Sequence, residues 1–353
     1  YVLKDEISAF GELGLGLHTI DKLNNTNNIC GIYSIELYVN DSLHYSQEME
    51  KLDFSTNRYI NTYKDYKEHK LNKRSIHKSF ISDNNELKIY KKLINKGRIV
   101  ISENKEYNIK YIVKDVAGNI SNLSFKINGD SSQLAYYKPD LKQAQLNAVL
   151  EKDSLITAEM VAFFPEKSMY HQEELKHNSK EFPNAQAALF TIMDKSIPLH
   201  KKFILKLKLK DSTLNCNDKA VVVSVSDDQK KIVSKGGKCE NGWISTEIKS
   251  FGSYTVLIDS INPVIKAVNV TDGKNIKGLT YLKFKISDNL SGIKKYNVFI
   301  DDKWVLANYR PKSANLKVYA REWNYLKLGK HICKVIIEDE RGNISIKTIN
   351  ISY

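Results

Sequence analysis

Two stretches, 224 residues apart, decide the fold: Ile112-Val113-Lys114-Asp115-Val116-Ala117-Gly118-Asn119-Ile120-Ser121 and Ile336-Ile337-Glu338-Asp339-Glu340-Arg341-Gly342-Asn343-Ile344-Ser345. Each has two aliphatics, then Asp, then Gly-Asn, then Ser. The aliphatic run reads as a strand. Asp caps its own turn through its carboxylate, and Gly-Asn is expected to supply positive φ angles. Both stretches therefore predict a β-hairpin near a module's end. A second match lies upstream of each. Gly31-Ile32 precedes a strand and then Asn40-Asp41; Gly292-Ile293 precedes a strand and then Asp301-Asp302. The first and last thirds of the chain read as one Ig-like unit used twice.

Working outward, period-two alternation recurs at residues 33–39, 107–113, 203–209, 281–286, 296–300 and 333–337. That is the pattern of strands with one buried face. Turn residues such as Asn128-Gly129-Asp130 and Asp272-Gly273 separate them. The expected fold is all-β: three tandem β-sandwich modules, at 1–130, 131–260 and 261–353, the first and third Ig-like. The joints at 128–132 and 259–263 are short, so the modules should be semi-rigid beads.

The two Ig-like units differ in length. Gly31 and Asp115 stand 84 positions apart, Gly292 and Asp339 only 47. The first unit thus carries an insert, placed at about 53–90, where the strand pattern lapses and the chain looks partly helical. Long excursions of this kind are either functional or flaps over a neighbour. Arg58, Tyr59, Tyr63, Asp65, Tyr66, Lys73 and Arg74 are the candidate binding residues. Tyr rings stack on sugars or bases, and interleaved Lys and Arg pair with anions. The same residues suit a flap packed on the middle module.

Composition bounds the function. The 353 residues carry 54 Lys and Arg against 41 Asp and Glu, a net charge of +13. The excess is spread along the chain, as expected of solvated faces, and no nucleic-acid reader motif accompanies it. Nucleic acid is therefore not an expected partner. No run of 18 apolar residues exists, so no segment is expected to span a membrane. The chain begins at Tyr1 with neither Met nor a basic-then-apolar leader, and the expectation is a mature or excised piece. None of the four cysteines forms a CxxC pair. A two-residue hairpin at Asp227-Asp228 would pair residues whose numbers total 455, as those of Cys216 and Cys239 do. That register permits a cross-strand disulfide. Gly236-Gly237 can spoil it, leaving two free thiols.

Catalytic patterns are missing. There is no HxH, HExxH, G-x-S-x-G or Walker loop, so no catalytic residue, metal or cofactor is expected on this chain. His44 with Glu48 and His177 with Glu181 lack a third ligand at telling spacing. Gly11 to Gly16 (GELGLG) has no following helix and reads as close strand packing or a bulge. Asp115, Asn119, Asp288, Asn289, Asp339 and Asn343 are either turn caps or oxygen ligands for Ca²⁺ at the module ends.

Longer-range order carries a resemblance. Residues 31–40, Arg58-Tyr59-Ile60-Asn61, Asp65-Tyr66 and Asn72-Lys73-Arg74 are followed by Phe164-Pro165, Met169-Tyr170, Ile197-Pro198-Leu199-His200-Lys201 and Glu240-Asn241-Gly242-Trp243. Then come Phe251-Gly252-Ser253-Tyr254-Thr255, Pro263, Asp288 to Ile293 and Lys303-Trp304. This series resembles the region after the catalytic domain in Gram-negative lysostaphin-like (LytM-like) zinc peptidases. The resemblance implies a non-catalytic accessory region of a peptidoglycan metallopeptidase, exported to the periplasm or cell envelope. The zinc motifs of that family, H-x-x-x-D and HxH, do not occur here, so no catalytic residue carries over. The implied partners are an upstream peptidase domain or envelope protein, and peptidoglycan. The alternative is a stand-alone structural subunit of an envelope complex.

Overall fold

The computed structural model describes residues 6–23, 26, 28–136, 145–210 and 219–353. Three hydrophobic cores follow one another along the chain, and their regular structure is nearly all strand, with only short helical pieces.

The first core lies under a six-stranded sheet. Its order is Ile7–Ala9, Ile120–Gly129, Glu106–Lys114, Ser34–Val39, Ser42–Glu48, Tyr90–Leu93. Alternation drives the burial: Tyr107, Ile109, Tyr111 and Val113 face inward, while Asn108 and Lys110 face water. Each large apolar side chain buried this way contributes roughly 1.5–3 kcal/mol. Ile7–Ala9 runs parallel to Ile120–Gly129, and the other pairs are antiparallel.

The third module repeats this layout. Lys274–Asn275 runs parallel to Ile344–Ser352, followed by Lys330–Asp339, Ile293–Ile300 and Lys303–Val305, all antiparallel. The turns match as well. Asn40 and Asp41 have φ of 47° and 63°; Asp301 and Asp302 have 50° and 60°. Two successive positive φ values are what a two-residue hairpin of matching twist requires. In the Asp-to-Asn turns, only Gly118 (φ 86°) and Gly342 (φ 71°) take positive φ. Asn119 and Asn343 do not. They act through their backbone N–H groups and side-chain amides, which donate to Asp115 and Asp339.

The two modules differ in their second layer. In the third it is a continuous sheet of Val264–Ala267, Tyr281–Ser287, Asn315–Tyr319 and Ala307–Arg310. In the first it is split into two-stranded pieces, Gly11–Leu13 with Ile99–Ile101 and Gly16–His18 with Ile76–Lys78. The GELGLG stretch is used for close packing. A Cβ on Gly14 would stand 2.6 Å from the Phe80 ring, and one on Gly16 would stand 2.9 Å from Ile76 Cγ2.

The middle module is a sandwich of two five-stranded antiparallel sheets. One orders Asp153–Ile156, Met160–Phe164, Phe203–Lys208, Trp243–Ile248, Lys238–Glu240; the other His177–Lys180, Leu189–Ile192, Gly252–Ile258, Ala220–Val225, Ile232–Ser234. Rings of Phe164, Phe203 and Phe251 meet at 4.8–5.9 Å between them.

The expected cysteine register is corrected here. Val223 pairs with Ser234 and Val225 with Ile232, so paired numbers total 457. The turn holds four residues, closed by Ser226 N–H donating to Lys231 O with Gln229 at φ 57°. Gly236 and Gly237, both at positive φ, then carry the chain to the other sheet, where Cys239 pairs with Ile244. Cys239 is disulfide-bonded, and Cys30 and Cys333 are free thiols. Cys216 lies outside the described residues. No helix among the described residues is long and apolar enough to cross a membrane.

Candidate functional site: the insert and the two joints

The insert folds as three short helical pieces, Asn57–Tyr59, Ile60–Tyr63 and Tyr66–Asn72, then the Ile76–Lys78 strand. Local chemistry sets these limits. Asp65 caps the last helix by accepting from Glu68 N–H at 3.0 Å. Lys73 ends it in the left-handed region at φ 58°.

The insert is clamped to the middle module. Tyr59 is 4% exposed and stacks on His200, with centroids 4.2 Å apart and planes 19° apart. Tyr170 of the middle module lies edge-on to both rings, 6.1 Å from Tyr59 and 5.4 Å from His200. Tyr170 O–H donates to Arg58 O at 2.9 Å, and its oxygen lies 3.1 Å from His200 Nδ1. The hydroxyl has one proton, already given to Arg58 O, so His200 Nδ1–H is the donor in the second bond. Burial, then the Arg58 charge, lower the His200 pKa, which keeps the ring neutral near pH 7. The Arg58 guanidinium donates to Leu199 O through Nε and Nη2 at 3.2 and 3.1 Å. Asn84 Nδ2 donates to Lys167 O and Met169 O, and Lys167 pairs with Glu86 at 3.2 Å.

The seven sequence-derived candidates separate into four groups. Arg58 and Tyr59 build the clamp. Tyr63 is fully buried, its hydroxyl 2.8 Å from His77 Nδ1, so it offers no face to an outside ligand. Asp65 and Tyr66 reach a cleft of about 410 Å³ between the insert and the middle module. Lys73 and Arg74 are exposed and do not line that cleft. The cleft mixes signs: Lys67, Lys78 and Lys176 face Asp65, Glu173 and Asp194. Burial lowers the Lys78 pKa against the pull of Asp65 and Glu173. Tyr66 carries Lys70 over its ring at 5.3 Å, which covers part of the stacking surface. His44 and Glu48 share a strand, where four residues span about 13 Å, too far for one ion.

Sequence reasoning missed Tyr170, His200 and Asn84 as partners of the insert. It also missed how the second joint is built. There Asn343 Nδ2 donates to Asp259 O at 3.0 Å, and Lys219 Nζ donates to Arg341 O and Asn343 Oδ1 at 2.7 and 2.6 Å. Arg341 Nη1 donates to Gly237 O at 3.1 Å. Leu290 packs on Leu189, Val221, Val223 and Val225 of the middle module. The third module's Asp-to-Asn turn is therefore docked on its neighbour. The first module's turn is exposed, with Val116 88% accessible.

Residues 146–259 match the family described as Zu5-like domain, the extent of the middle sandwich. No curated protein matches the chain. Solved structures with a loose overall likeness are strings of modules. Fibronectin(III)-like modules of Clostridium thermocellum CbhA have 8% identity and a TM-score of 0.21, covering 99% of this chain and 90% of that one. The Bacteroides ovatus protein SGBP-B of a mixed-linkage glucan utilization locus has 8% identity and a TM-score of 0.17, covering 98% and 64%. The human desmocollin-1 ectodomain has 8% identity and a TM-score of 0.20, covering 77% and 70%. Overlap this loose says nothing about what the present chain binds.

Proposed function

We propose that this chain is a non-catalytic positioning region of an exported lysostaphin-like metallopeptidase, holding a neighbouring peptidase domain at a set distance and angle from an envelope partner. One observation carries the reading: the Tyr- and Arg-rich insert is used to clamp the first module to the second. Interleaved aromatic and basic residues that suit a ligand surface are instead spent on Leu199, His200 and Tyr170. A spacer needs a fixed angle between its parts, and a clamp of this kind supplies it. The bonded Cys239 supports an oxidising compartment, where structural disulfides persist. The exposed Asp115–Asn119 turn supports a docking end, because its counterpart at Asp339–Asn343 is the part that packs on a neighbour.

Two experiments test the reading. Sequencing the gene ahead of the Tyr1 codon is expected to find a domain with H-x-x-x-D and HxH in the same frame. A different domain there would favour the stand-alone structural subunit. Wall docking is tested by co-sedimentation of the chain with purified peptidoglycan at low salt. Retention that weakens in Lys67→Ala and Lys176→Ala supports docking through the cleft; no retention removes the wall from the list of partners.

A further inference from the structure

We propose that the joint between the second and third modules binds one Ca²⁺ ion through Asp259, Asp288 and Asp339. One oxygen from each carboxylate lies within 4.8 Å of the others. Oxygens on a common Ca²⁺ sit about 2.3–2.6 Å from it, so they stand no more than about 5 Å apart. Asp259 is 1% exposed and Asp339 is fully buried; Asp288 is half-buried.

The turn itself explains only part of this cluster. Asp339 accepts from the N–H groups of Arg341 and Asn343 and from the Asn343 amide. Asp115 makes the equivalent bonds to Asn119 in the first module, without any gathering of acids. Asp259 Oδ2 accepts from Ser291 N–H, and Asp288 Oδ2 accepts from the N–H groups of Leu290 and Gly292. Their other oxygens, Asp259 Oδ1 and Asp288 Oδ1, are buried without a hydrogen-bond partner, and so is the neighbouring Ser291 Oγ. Among the described residues, no ion pair within 4.0 Å includes Asp259, Asp288 or Asp339. Three carboxylates with two buried, unpartnered oxygens are costly unless a cation joins them. Lys219 and Arg341 bring two positive charges to this joint, against the three carboxylates.

An all-oxygen set of carboxylates with a hydroxyl beside them suits a hard cation. Ca²⁺ fits irregular, loop-built sites better than Mg²⁺, which demands a near-ideal octahedron. The ligands come from both sides of the joint. Asp259 follows the last strand of the middle module, whereas in the third Asp288 follows the strand Tyr281–Ser287 and Asp339 ends the strand Lys330–Asp339. The ion would tie the two modules together.

The test is calorimetric titration of the chelator-treated full chain with CaCl₂, alongside thermal melting. One ion per chain is expected to bind, with a dissociation constant of about 0.1–1 mM, in the range of extracellular modules. Saturating Ca²⁺ is expected to raise the melting temperature by about 3–5 °C. Asp288→Asn keeps an acceptor for the turn and should abolish both effects, while Asp115→Asn should leave both intact. Circular dichroism checks that each variant is folded. If Asp288→Asn does not fold, the wild-type titration still decides the matter. The absence of binding or of a melting shift in the wild type would overturn the proposal. So would an equal response to Mg²⁺, retention of binding in folded Asp288→Asn, or its loss in Asp115→Asn.

Discussion

At the scale of single residues, His77 is the most informative side chain of the insert. It is buried against Tyr63, and burial, with Lys64 nearby, pushes its pKa down to about 4. His200 is displaced the same way. Between the ordinary value of 6.5 and about 4, the unfolded chain therefore binds protons that the folded chain refuses. Stability is fully present above that window and falls as pH falls through it. From pH 7 to pH 5 the His77 contribution should fall by about 2 kcal/mol. Urea titrations of wild type and His77→Gln at both pH values check this; equal losses in the two proteins would contradict it. Tyr59→Ala removes the ring stacked on His200 and leaves a void at the clamp. A loss of about 3 kcal/mol is expected. The His200 pKa, followed by NMR, should move back toward 6.5; an unmoved value would mean that Tyr59 does not shield it.

At the scale of elements, turns and strands were legible because their causes are local. Asp115 and Asn119 are four residues apart, and the same bonds form between Asp339 and Asn343 at the same spacing around a Gly. The length difference between the two Ig-like units located the insert for the same reason. What the insert touches was not legible. Arg58 meets Leu199 across 141 positions and Tyr170 across 112, and nothing local marks those partners. Asp259, Asp288 and Asp339 each look like ordinary turn residues, and only the fold brings them together. The register error at residues 226–231 has a related origin. Gln229 and Lys230, both after Asp227-Asp228, also belong to the turn, and polar residues do not say where a turn stops. Packing of the insert on the GELGLG stretch gives an element-scale prediction. Gly14→Ala would drive a methyl into the Phe80 ring, 2.6 Å away. A loss of about 1–3 kcal/mol in urea denaturation is expected, as for overpacked sites. No loss would mean that Phe80 moves aside freely.

At the scale of the whole molecule, two joints of different construction link three sandwiches. The first centres on a buried aromatic cluster of Tyr59, Tyr63, Leu87, Ile89 and Tyr170, edged by the hydrogen bonds of Arg58 and Asn84. The second is polar, built on Lys219, Asp259, Arg341 and Asn343. A clamp through the insert should hold the first two modules as one body, and that is the central claim. Small-angle X-ray scattering on wild type and the Arg58→Ala/Tyr59→Ala double variant tests it most directly. Wild type should scatter as a single rigid shape, with a maximum dimension that the double variant exceeds while all three modules stay folded. Wild-type scattering that already requires a mixture of inter-module angles, or a folded double variant indistinguishable from wild type, would contradict the account.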